Sequence, residues 1–102
     1  ELEFHREVSE RHNYHLLVAQ VVNGKRNIII SKMVEAGVQC VVQYYPLNRY
    51  DFYKKLGYGK ADCPNTNQFF DNMISFPFHH MMEEDTFAKL IVITKNVISK
   101  LQ

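Results

Sequence analysis

A chain of 102 residues, 46% hydrophobic and 23% charged, has the size and balance of one globular domain around a single core. Its formal net charge of +1 excludes an electrostatic case for nucleic acid or an anionic membrane surface as partner. No apolar run approaches the roughly 20 residues that span a bilayer, and two cysteines without metal or redox spacing fit free thiols in a reducing cytoplasm.

Residues 1–13 are polar, but Leu2 and Phe4 alternate with charged neighbours and predict a short edge strand. His5, His12 and His15 lack the i, i+4 spacing of helical zinc ligands and read as surface or structural histidines. Leu16 to Val22 is apolar except for Gln20, the pattern of a strand covered on both faces. Lys25 to Ala36 then reads as a helix with Ile29, Ile30, Met33 and Ala36 on one stripe, Asn23 capping its start and Gly37 stopping it. Val38 to Tyr44 predicts a second strand, with Val38, Cys40, Val42 and Tyr44 on the core face. Strand, helix and strand form a right-handed crossover whose strands are parallel. Met73 to Phe76 is the candidate for an antiparallel strand between them.

Pro46 ends the second strand, and six aromatic residues crowd into positions 44–58. Such a loop suits either packing against a neighbouring surface or stacking on a nucleobase or sugar. Arg49 to Leu56 predicts a short helix stopped by Gly57, with Lys54 and Lys55 on its solvated face. Lys54, Lys55 and Lys60 also suit a diphosphate. Pro64 to Asn72 predicts another helix with proline in its first turn and Phe69 facing inward. Pro77 ends the strand before it, and the adjacent His79 and His80 diverge too far to chelate one metal. Glu83 to Leu101 is a helix whose Phe87, Leu90, Ile91, Thr94, Val97, Ile98 and Leu101 predict a core stripe, leaving Val92 and Ile93 for another surface. The fold class is α/β (α+β): a small three- to four-stranded mixed or antiparallel sheet with helices packed mainly on one face.

No catalytic set emerges from these residues. Glycines stand singly at turns, the run Glu83-Glu84-Asp85 is explained by helix capping, and no nucleophile, base and orienter share a spacing. The ordered runs Val42-Gln43-Tyr44-Tyr45-Pro46-Leu47-Asn48, Leu56-Gly57-Tyr58, Cys63-Pro64-Asn65 and Ile74-Ser75-Phe76-Pro77-Phe78-His79 resemble the C-terminal part of nucleotide-sugar aminotransferases of the DegT/StrS type, enzymes of the aspartate aminotransferase fold. The likeness runs from about residue 14 to 101, with Gln43 and Asn48 standing where that family has two histidines.

The resemblance implies that residues 1–102 are a detached C-terminal small domain, its large pyridoxal-phosphate-binding domain absent. It implies a cytoplasmic homodimer that passes nitrogen, usually from glutamate, to a keto-sugar on a nucleotide. The small domain closes and shapes the sugar pocket, with Gln43, Tyr44 and Asn48 nearest the substrate. No catalytic residue and no metal site are expected here, and pyridoxal phosphate belongs to the full-length enzyme rather than to this chain alone. A His→Gln exchange at position 43 keeps hydrogen bonding but removes a ring that titrates near neutrality. Two other readings of the residues remain: a stand-alone ferredoxin-like small-molecule-binding module, and an interaction domain whose aromatic loop is the contact.

Overall fold

A computed structural model describes residues 2–5, 10 and 13–101; His12 lies outside them. Strand β1 (Leu2–Phe4) pairs antiparallel with β2 (Leu17–Val21), and β2 pairs antiparallel with β3 (Met73–Phe76). The register sets Ala19 opposite Ile74 and Leu17 opposite Phe76. Because side chains alternate along a strand, Leu17, Ala19, Val21, Ile74 and Phe76 share one face. Helices α1 (Arg26–Glu35) and α4 (Glu84–Ser99) cover that face with Ile29, Met33, Leu90 and Val97. Helix α3 (Pro64–Asn72) lies on the opposite side, where the His5 and Phe69 rings meet at 5.4 Å between centroids.

The α1 stop is the one the sequence requires. Gly37 sits at φ +82°, the Gly37 N–H donates to the Val34 carbonyl, and the Val38 N–H reaches back to the Met33 carbonyl at 2.8 Å. These two bonds make a Schellman motif and satisfy carbonyls that the helix end leaves open. At the other end Asn23 is not the cap: Lys25 holds that position without a side-chain cap, and the Asn23 side-chain oxygen accepts from the Lys25 N–H at 3.2 Å in the turn before the helix. Arg26 then donates to the carbonyls of Phe70 and Met73, tying α1 to the junction of α3 and β3.

Several expectations change. Val38 to Tyr44 is not a regular strand: only Val41 pairs, through reciprocal bonds of 3.0 and 2.9 Å with Ser75. The predicted order nevertheless holds, since β3 lies between β2 and this segment and is antiparallel to both. Alternation also holds only at its start: Val38 and Cys40 are buried, but Tyr44 is 68% exposed. In β2, Ala19 and Val21 are fully covered while Val18 and Gln20 are half-buried, because α3 shields the second face only in part. The stripe of α4 is fully buried only at Leu90 and Val97, with Leu101 packed partly against the core. Ile93, expected to meet another surface, packs against the core as well, Phe87 and Ile91 face an open groove, and Ala36 of α1 is exposed.

Burial pushes the Cys40 thiol up to about 11 from its ordinary 9.0. The unfolded chain therefore releases this proton first, so the contribution is intact below pH 9 and drains away as the pH rises toward 11. We expect urea stability to fall by on the order of 1–2 kcal/mol over that interval. Cys40→Ala should flatten the decline, and an equally steep decline in the variant would count against this cause.

Candidate functional site

Beyond Val41 the chain leaves the sheet and builds an arm. Gln43 is half-buried against β3, its backbone N–H 3.2 Å from the Met73 sulfur. The Gln43 Oε1 is buried and, among the described residues, accepts no hydrogen bond. A buried amide oxygen without a donor is costly, so this acceptor stands ready for one. The next peptide, Gln43–Tyr44, is cis. Pro46 is buried and opens a single 3-10 turn over Leu47–Arg49; the short helix α2 (Asp51–Lys55) follows and ends at Gly57 with φ +89°.

The aromatic residues of the arm pack mainly on one another. Tyr45 meets Tyr50 edge-on at 4.9 Å and Phe70 of α3 at 5.4 Å; Tyr53 meets Phe52 at 5.2 Å. Such T-shaped pairs suit the ring quadrupoles and add to the burial they accompany. Tyr44, Phe52 and Tyr58 stay more than 60% exposed. Asn48 sits in the 3-10 turn of the arm, its side-chain amide donating to the Ala61 carbonyl at 3.4 Å. With Leu47, Tyr53, Tyr58 and Cys63 it lines an open bowl of about 340 Å³.

The three site residues expected from the sequence thus share one loop but not one environment. Gln43 packs on the sheet, Tyr44 projects outward, and Asn48 belongs to the bowl. Lys54 is 3.5 Å from Asp51, and Lys55 and Lys60 are exposed. His79 and His80 are also exposed, and among the described residues no three metal-ligating side chains converge.

Two features had no sequence signal. Arg49 reaches α3, where its Nε donates to Asn67 Oδ1 at 2.9 Å and its two terminal nitrogens grip Asp71 at 2.6 and 2.9 Å. These partners are 18 and 22 positions away, beyond any local periodicity. The hydrogen bond from Arg49 holds the Asp71 carboxyl below the usual aspartate range, and the same bond raises the guanidinium. The second is an apolar groove of about 330 Å³ beside α4, walled by Leu2, Phe4, Phe76, Phe87, Ile91 and Ile98 among others.

A model of the DegT/DnrJ/EryC1/StrS aminotransferase family matches residues 1–95. The chain belongs to that family. The spore coat polysaccharide biosynthesis protein SpsC of Bacillus subtilis is 28% identical over 94 residues, which are 86% of this chain and 24% of SpsC. Spr1654 of Streptococcus pneumoniae, assigned as a sugar aminotransferase and solved in a PMP form, superposes with a TM-score of 0.84 at 27% identity. That match covers 99% of this chain and 27% of Spr1654. Helicobacter pylori PseC, an aminotransferase involved in the biosynthesis of pseudoaminic acid, superposes equally well at 16% identity over 97% of this chain and 28% of PseC, and so shares the fold. This DegT-family chain spans about a quarter of the length of these relatives.

The family implies pyridoxal phosphate, and the residues present do not by themselves fit it. A Schiff-base lysine must be desolvated or placed beside another cation. Every described lysine is exposed except Lys25, whose ammonium donates to the Leu101 carbonyl at 2.5 Å.

Proposed function

We propose that this chain is the C-terminal small domain of a pyridoxal-phosphate-dependent sugar aminotransferase, and that its arm closes over a nucleotide-linked keto-sugar. Pyridoxal phosphate supplies the electron sink for moving the amino group, and residues of a large domain outside this chain hold it. Glutamate is the proposed donor. The observation that supports the reading is a loop, inside the stretch matched by the family model, whose buried Gln43 Oε1 accepts no hydrogen bond among the described residues and lies beside an exposed Tyr44.

An amide oxygen accepts hydrogen bonds and cannot donate them, so it suits a sugar hydroxyl rather than a fully ionised phosphate. Asn48 offers a further amide, and Tyr44 offers a flat ring on which a sugar face can rest. Replacement of two titratable histidines by Gln43 and Asn48 leaves this loop to bind and orient, without moving a proton near neutrality. A cytoplasmic homodimer is the proposed setting.

The test is made on the full-length protein that contains these residues, loaded with pyridoxal phosphate. L-Glutamate should convert the bound cofactor to its amino form, followed spectroscopically, and a UDP-linked keto-hexose should return it. Gln43→Leu should raise the KM for the keto-hexose roughly tenfold, since one hydrogen bond to substrate is worth about 1–1.5 kcal/mol. It should leave the glutamate half-reaction unchanged. No cofactor conversion by any amino donor would remove the reading.

A further inference from the structure

We propose that Arg49 is the positioning residue of the arm, the side chain through which the loop bearing Gln43, Tyr44 and Asn48 is held at a fixed angle to α3. Four contacts made by this one group support the assignment. Its Nε bonds Asn67, its two terminal nitrogens bond the two oxygens of Asp71 separately, and its guanidinium carbon stands 5.6 Å from the centre of the Phe70 ring. Asn67, Phe70 and Asp71 are successive contact points along one face of α3, spaced three and one positions apart. The grip therefore fixes direction as well as distance.

Among the described residues the other hydrogen bonds and ring contacts that tie the arm to the sheet and to α3 lie close to its base. On the sheet side it is tied by the Val41–Ser75 pair and by the Gln43 N–H on sulfur. On the α3 side the Tyr45 ring leans on Phe70, the same ring that Arg49 covers. Guanidinium and Tyr45 thus share Phe70, so displacing one removes support from the other. A lysine cannot substitute: a point charge lacks the planar fork that meets Asn67 and both oxygens of Asp71 together. The pairing also has a defined acid limit. Asp71 is held below its ordinary range, so the grip persists above that range and is lost as the pH falls through the depressed value.

This inference rests on the substrate-facing reading of the loop, and the experiment separates the two. In the full-length protein, Arg49→Lys and Asp71→Asn are compared with the unsubstituted protein by amide hydrogen exchange and by half-reaction kinetics. Exchange over residues 44–50 should quicken roughly tenfold in both variants while β2 and β3 stay protected. The KM for a UDP-linked keto-hexose should rise by about tenfold, with the glutamate half-reaction within about twofold of the original. The double variant should be no worse than either single one, because the groups act as a unit. Unchanged exchange over residues 44–50 in Arg49→Lys would overturn the assignment, as would an equal loss in both half-reactions. Should the unsubstituted protein show no half-reaction, the aminotransferase reading falls, and the exchange data alone decide whether Arg49 holds the arm.

Discussion

Ile74→Ala is expected to cost the domain about 3–4 kcal/mol, measured as a drop of roughly 2 M in the urea midpoint. Ile74 is 0% exposed at the centre of β3, opposite Ala19 and within the core cluster that includes Ile29, Met33, Leu90 and Val97. Three buried carbons at about 0.8 kcal/mol each account for some 2.4 kcal/mol of lost transfer energy. The unfilled cavity supplies the rest, since Ala19 directly opposite is too small to lean into the gap. Ile74→Val, one carbon smaller, should cost only about 1 kcal/mol. A cost below 1 kcal/mol for the alanine variant would mean that helices α1 and α4 collapse onto β3, and that the packing is looser than described.

Val41→Pro is expected to cost about 2–4 kcal/mol through a different mechanism. The Val41 N–H donates to Ser75 at 3.0 Å, and Ser75 is 2% exposed. Proline removes that donor and leaves the Ser75 carbonyl buried without its partner. Val41 itself is 38% exposed, so little side-chain packing is lost and the effect isolates the backbone. Amide exchange provides the check: the Ser75 N–H, which donates to the Val41 carbonyl at 2.9 Å, should lose protection well before Ile74 does. A Ser75 amide as protected as before would show that the bridge is not what anchors the segment. Val41→Thr, which keeps the N–H, should stay within about 0.5 kcal/mol of the original.

Much of the architecture could be read from local chemistry. Pro64 marks the start of α3, Pro77 ends β3 after Phe76, and the apolar spacing of residues 87–101 announces α4. Placing β3 between the two crossover segments followed from there being one antiparallel candidate. What misled was propensity at Val38 to Tyr44. Valines and tyrosines favour strands, but only Val41 finds a partner because the sheet offers β3 alone and β3 is four residues long. Periodicity likewise showed that Phe87 and Ile91 share a stripe with Leu90, without showing that they line an open groove and stay more than a third exposed.

The site was legible in part. The likeness that singled out Gln43, Tyr44 and Asn48 as candidates is a likeness to a family, and the match over residues 1–95 supports that family; the separate surroundings of the three residues had no signal. Arg49 entered the sequence reading only as the start of a short helix. Its significance depends on Asn67 and Asp71 being brought beside it by a helix whose position no short-range rule specifies.

The outline of the chain also affects how the molecule travels. Its radius of gyration is 15.7 Å, against about 13 Å for an average compact chain of this length, and its longest dimension is 48 Å against a shortest of 22 Å. A body so drawn out tumbles slowly and elutes from a gel-filtration column ahead of globular standards of equal weight. A single copy would pass there for something heavier, so the number of subunits in solution has to be taken from light scattering or sedimentation equilibrium, which weigh a particle regardless of its outline.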